Sequence, residues 1–287
     1  MLLRYTNPKT NSDLRLLYEE PSFDRVFYGK DGKDKLLTIA WNRGEEQKVM
    51  IDGVEYGFPG NTILSLMVSE TFYFPESYDI VAWQFNRDFY CIVDHDKEVS
   101  CVGFLFYGSV QKQFIQLDKK EQRKIELLFQ VFVDEFEEKD QIQGEMLQML
   151  LKRLIIIVTR LGKRQYVPEE ALAEEKMDII REYNLLVENN YRRQHQVKFY
   201  ADKLNKSPKT LSNLFALYNH KSPLVVIHER VLQEARRLLV YTDKSAKEIA
   251  GELGFEDATH FSKFFKKKIG FTPLDFRKEK EKAPGKL

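Results

Sequence analysis

A pattern of two short helices joined by a tight turn occurs twice in the last third of this 287-residue chain, each landmark of the second copy falling about fifty residues after the first. A repeat at that spacing confines the region to an all-helical unit built on one plan twice. In the first copy, VKFYADKLNKSPKTLSNLF, Val197, Ala201 and Leu204 face inward, Ser207 is placed to cap the next helix, and Pro208 takes the first helical position, where its missing N–H costs nothing. In the second, AKEIAGELGFEDATHFSKFFKKK, the inward set is Ile249, Ala250 and Leu253. There Gly254 permits a left-handed turn and Asp257 can cap the following helix. Around the repeat, helices are expected near 178–191, 196–204, 208–217, 224–241, 245–252, 258–268 and 273–279, with no alternation of the strand kind among them.

A small alanine where two helices cross, a short turn, and a second helix with Leu211, Leu214 and Phe215, or Phe261, Phe264 and Phe265, turned inward describes a helix-turn-helix. What is left outward is a reading surface. In the first unit it is Lys209, Thr210, Ser212 and Asn213; in the second it is Ala258, Thr259, His260, Ser262 and Lys263, followed by Lys266 and Lys267. Hydroxyls, an amide, an imidazole and lysines can reach base edges and phosphates. Charge points the same way once the chain is divided. Residues 1–175 carry 22 Lys+Arg against 30 Asp+Glu, whereas residues 176–287 carry 23 against 14, so a net of +1 conceals an acidic part of −8 and a basic part of +9. A basic module tethered to an acidic one suits a nucleic-acid binder with a separate sensing or assembly domain.

The segment SAKEIAGELGFEDATHFSKFFKKKIGFTPLDFRKE resembles the second helix-turn-helix and closing signature of AraC-type transcription regulators, through Ile249-Ala250, Gly254-Phe255, Phe261-Ser262, Phe264-Phe265-Lys266, Gly270, Thr272-Pro273 and Phe276-Arg277. Residues from about Met177 to Lys280 follow that family's plan, including a long helix over 224–241 that would hold the two units apart. The resemblance implies that Thr210–Leu217 and Thr259–Lys267 enter successive major grooves on one face of double-stranded DNA, ~34 Å apart. Lys209, Thr210, Ser212, Asn213, Thr259, His260, Ser262 and Lys263 would contact the groove; Lys206, Lys266, Lys267 and Arg277 would neutralise phosphates or brace the fold. One departure is Asn219-His220 standing where the family has a glycine after the first reading helix.

Ahead of this module, LLTIAW, KVMIDGVEYGF, TILSLMV, IVAWQF, YCIVD and SCVGFLFYG are short β-rich runs over 36–108, punctuated by Asp52-Gly53 and by Phe58-Pro59-Gly60-Asn61. They predict a small barrel or sandwich that resembles the cupin-like domains found before AraC-type modules. The only histidine before the linker is His95, so the histidine-rich metal site of cupin enzymes cannot be built, and no metal or cofactor is expected. Trp41, Phe72, Tyr73, Phe74, Trp83, Phe85 and Phe89 would fill the core or line a ligand pocket. In CIVDHDKEVSC, a hairpin centred on Asp96 would set Cys91 opposite Cys101 at a disulfide-compatible distance, although a cysteine in a strand is more often a small buried apolar residue.

After Asp118 the period changes to three or four, with an inward stripe of Ile125, Leu128, Phe129, Phe132 and Phe136, then a second helix over 143–161 whose Met146, Met149, Leu150, Leu154, Ile157 and Leu161 make a broad apolar face. That face packs within the domain or joins two subunits. The fold class expected is therefore α+β and multidomain: a cupin-like β-barrel with a helical pair over 1–161, a polar linker over 162–175 and an all-α double helix-turn-helix domain over 176–287. The sequence fits a non-enzymatic, cytoplasmic homodimer, with no long apolar run to suggest a membrane. A small-molecule effector and RNA polymerase stand as further partners of such a regulator.

Overall fold

The computed structural model describes residues 1–21, 23–25, 36–52, 54–68, 70–95, 105–106, 112–166, 174–218 and 221–281. Two compact units part between residues 169 and 170.

The first unit is built on two antiparallel sheets. Six strands, β1 (Leu2–Asn7), β2 (Ser12–Leu17), β9 (Ile80–Phe85), β4 (Leu37–Asn42), β7 (Thr62–Leu66) and β10 (Phe114–Gln116), lie side by side in that order. The second sheet runs β3 (Phe23–Arg25), β8 (Phe72–Phe74), β5 (Gln47–Ile51) and β6 (Val54–Phe58). Strands β4 and β9 are buried along their whole length because both of their faces are covered. One face carries Ala40, Leu64 and Ala82, small enough to admit Phe58, Phe72 and Phe74 from the other sheet. The other carries Trp83, whose ring lies 5.8 Å from Phe132 and 6.5 Å from Phe129 of helix α1 (Lys119–Glu137). Strands β5 and β6 pair as the expected hairpin, with Ile51 opposite Val54 and Asp52 at φ 49°, while Gly53 lies outside the described residues. Two sheets followed by a helical pair are the β-rich architecture expected ahead of the helical unit.

Helix α1 starts in a capping box, in which Asp118 accepts from Glu121 N at 2.8 Å and Glu121 accepts from Asp118 N at 3.1 Å. Ile125, Leu128, Phe129 and Phe132 are buried as expected, and Phe136 is half-buried. Helix α2 (Gln143–Tyr166) departs from its expectation in two respects. Its buried face is Leu147, Leu151, Leu154, Ile155, Val158 and Leu161, leaving Met146 and Met149 exposed and Leu150 and Ile157 half-buried. It also runs beyond Leu161, because Gln165 donates to Gln116 O (2.7 Å) and accepts from Gln116 N (2.9 Å), clasping the open edge of β10. The stretch expected as linker is thus helical at 162–166 and again from Glu174, while 167–173 lie outside the described residues.

Three strands, β1 to β3, precede the region in which strands were expected. YCIVD is not a strand: Asn86 Oδ1 accepts from Phe89 N (2.8 Å), Asn86 O from Tyr90 N, and Cys91 O from His95 N, all in a series of turns. The proposed hairpin therefore lacks its first strand. Cys91 is buried with a free thiol, and Cys101, like most of SCVGFLFYG, lies outside the described residues. Of the aromatic set, Tyr73 is half-buried and the other six are buried.

Among the described residues, the second unit has seven helices around one core: α3 (Glu174–Asn190), α4 (Val197–Lys203), α5 (Pro208–Tyr218), α6 (Pro223–Tyr241), α7 (Ala246–Glu252), α8 (Ala258–Ile269) and α9 (Pro273–Glu281). Their ends are fixed by side-chain caps, namely Ser207 for α5, Ser222 for α6, a Ser245–Glu248 capping box for α7 and Asp257 for α8. Among the described residues, no helix is long and apolar enough to cross a membrane.

Candidate nucleic-acid interface

Each of the two units is a short helix, a turn through one left-handed residue, and a longer helix. In the first, Leu204 N and Lys206 N bond back to Tyr200 O and Ala201 O, and Asn205 turns the chain at φ 52°. In the second, Leu253 N and Phe255 N bond back to Ile249 O and Ala250 O, and Gly254 turns at φ 74°. Asn205 follows Ala201 by four residues as Gly254 follows Ala250, a correspondence the sequence contained and residue-by-residue reading overlooked. Asparagine tolerates this backbone better than other residues bearing a Cβ. Glycine is required at 254 for a second reason, since a Cβ there would collide with the carbonyl of Arg192.

The alanines expected at the crossings are there, with Ala201 fully buried and Ala250 at 1% exposure. Leu211, Phe215, Phe261 and Phe265 are buried in the same core, Leu214 is buried on the same helix as Leu211 and Phe215, and Phe264 packs half-buried against that core. Turned away from that core, Lys209, Thr210, Ser212 and Asn213 are exposed on α5, as are Thr259, His260, Lys263, Lys266 and Lys267 on α8. Ser262 is half-buried, and Ala258 packs against the core. Two hydroxyls are already engaged. Ser212 Oγ donates to Pro208 O (2.9 Å), while Thr210 Oγ1 shares a hydrogen bond with the cap Ser207 (2.8 Å).

Helix α8 ends on Gly270 at φ 90°, whose N–H bonds to Lys266 O at 2.8 Å. The matching position after α5, Asn219-His220, lies outside the described residues. Arg277 braces the fold: its guanidinium donates to Leu239 O, Thr242 O and Lys244 O, satisfying carbonyls at the end of α6 and in the turn after it.

Helix α6, between the two units, is bolted to α3 by charge. Glu234, 2% exposed, faces Arg192 (2.8 Å), Arg237 (2.7 Å) and Arg230 (3.6 Å), and Arg230 also forks onto Glu188 at 2.6 and 3.0 Å. Burial alone would raise the Glu234 pKa, but the Arg237 hydrogen bond and the charges of Arg230, Arg237 and Arg192 outweigh it and bring the carboxyl down to about 2. Near α8, His195 packs on Phe255 at 4.8 Å and His228 on Phe264 at 5.1 Å; burial lowers both imidazole pKa values, with nearby Lys268 adding to the effect at His228.

Two tandem helix-turn-helix units on one core define a helix-turn-helix domain. Residues 200–279 match a family profile described as "Helix-turn-helix domain". A similar protein is the uncharacterized HTH-type transcriptional regulator YdiP of Escherichia coli K12, 26% identical over 117 residues, or 41% of this chain and 38% of that one. Another is the HTH-type transcriptional activator RhaR of Enterobacter sp. strain 638, 23% identical over 144 residues, half of each chain. A solved transcriptional regulator from Chromobacterium violaceum, titled as having an AraC-type DNA-binding domain, is 28% identical over 39% of this chain and 99% of its own, with a TM-score of 0.34. The chain spans half or less of the length of these curated relatives. The C-terminal unit is thus a double helix-turn-helix domain, and its residues from Ile249 to Arg277 carry the signature that resembles AraC-type regulators.

Proposed function

We propose that the protein is a sequence-specific DNA-binding transcription regulator of the AraC type, acting by binding and not by catalysis, with α5 and α8 each lying in a major groove. The observation that carries this reading is the repeat itself: two reading helices, each capped at its start and turned to the core by apolar residues at the same three positions, present outward faces on a basic unit. Lys209, Thr210, Ser212, Asn213, Thr259, His260, Ser262 and Lys263 are assigned to the groove, and Lys266 and Lys267 to phosphates. The β-rich unit, up to Tyr166, is assigned to sensing and assembly in the cytoplasm, and the unit from Glu174 to DNA.

A homodimer belongs to this reading. Its support is the exposed apolar set Leu127, Val131, Ile142, Met146 and Met149 on and beside α1 and α2. Sedimentation of the purified chain as a monomer would remove that part. A small-molecule effector and RNA polymerase are the remaining partners, the first tested by a shift in DNA affinity across a metabolite panel. The central experiment is selection of bound fragments from random DNA at fixed salt. The expected result is a motif with two specified segments about one helical turn, ~34 Å, apart. Salt-sensitive binding with no sequence preference would overturn the reading.

A further inference from the structure

The two reading helices superpose in sequence through their N-caps, Ser207 and Asp257, and the inward residues then coincide: Leu211 with Phe261, Leu214 with Phe264, Phe215 with Phe265. Their outward residues diverge toward the C-terminal end. Where α8 has Lys263, Lys266 and Lys267, α5 has Asn213, Ala216 and Leu217. Leu217 is 67% exposed, the most of any large apolar side chain among the described residues. An isolated exposed leucine needs no explanation, but this one continues a stripe. Thr210, Asn213 and Leu217 stand at i, i+3 and i+7 on one helix face and, at 1.5 Å per residue, span ~10 Å, about three base steps.

The chemistry of that stripe is specific. The hydroxyl of Thr210 is tied to Ser207 and that of Ser212 to its own helix, so the Asn213 amide, Ala216 and Leu217, with the exposed Thr210 beside them, remain as the distinctive features. In the major groove the thymine methyl is the apolar mark, and an asparagine amide pairs bidentately with adenine. Resting on the DNA-binding reading above, we propose that the two units differ in what they contribute: α5 reads an A·T-rich segment, with Leu217 against thymine methyls and Asn213 on adenine, while α8 adds to its own groove contacts the lysine charge that anchors the complex to phosphates.

The test starts from the sequence selected by the full chain and replaces its thymines one at a time with deoxyuridine, which deletes only the methyl. Wild type should lose about fourfold in affinity for each methyl that Leu217 covers, all within one of the two segments. Leu217→Ala should abolish that sensitivity and leave the salt dependence unchanged, whereas Lys266→Gln with Lys267→Gln should reduce the salt slope by about two. A selected motif whose thymines are all indifferent to deoxyuridine, or equally sensitive with Leu217→Ala, overturns the division of labour while leaving the regulator reading intact. Failure to select any motif brings down the regulator reading itself, and this inference with it.

Discussion

Replacing Glu234 by Gln removes one negative charge from a site on which three arginines converge, with almost no change of shape. The carboxyl titrates near 2 in place of its usual 4.5. At ~1.36 kcal/mol per pH unit, that difference makes the ionised group worth about 3 kcal/mol to the folded unit at neutral pH. Glutamine keeps an acceptor for one guanidinium, and Arg230 keeps Glu188, so the expected loss is ~2–3 kcal/mol and not the ~3–5 of an orphaned buried charge. For a helical unit of this size that is a fall of about 10 °C in Tm. Far-UV circular dichroism follows the helical unit, while Trp41 and Trp83, both in the β-rich unit, report the other transition by fluorescence. The pH dependence separates charge from shape. A folded pKa below the unfolded one gives stability that is complete above about pH 4.5 and is lost as pH falls toward 2, so only about 1–1.5 kcal/mol remains at pH 3. Wild type and Glu234→Gln should therefore converge on acidification. A helical melt unchanged by the substitution at pH 7, or a gap that stays constant down to pH 3, refutes the argument.

Lys263→Ala, on the exposed face of α8, should weaken binding to the selected site by ~1 kcal/mol or more, measured by fluorescence anisotropy; unchanged affinity counts against this docking. Ala250→Phe should unfold the second unit, because a ring cannot enter a helix crossing that is 99% closed to solvent, and a normal circular dichroism melt would sink that claim. Gly254→Ala combines a left-handed backbone with a clash against Arg192 O, and should cost ~2 kcal/mol or more in urea unfolding, where a side chain strained by φ alone would cost ~1.

What the sequence disclosed follows from how local each signal is. The bounds of α8 were legible because Asp257 at its N-cap, the Phe261/Phe265 spacing within it and Gly270 at its C-cap are all local and agree. Strands β1 and β2 were not, since LLRYTN and SDLRLL become strands through each other and through β9, partners that are distant in sequence. The inward face of α2 is not legible for a related reason: with Leu, Ile and Met spread round much of the helix, composition cannot say which side the sheet covers. The turn at Asn86, by contrast, was written in Asn86-Arg87-Asp88 and overlooked in favour of the apolar run that follows. At the candidate interface, residue types marked the outward faces of α5 and α8 but overstated how many of their polar groups are free. Serine and threonine on an exposed helix register as hydrogen-bonding groups until geometry shows that Ser212 and Thr210 already bond to Pro208 and Ser207. With those hydroxyls engaged at home, the outward face of α5 offers methyl groups, one amide and Lys209, whereas that of α8 offers three lysines and an imidazole, so the two faces differ in kind.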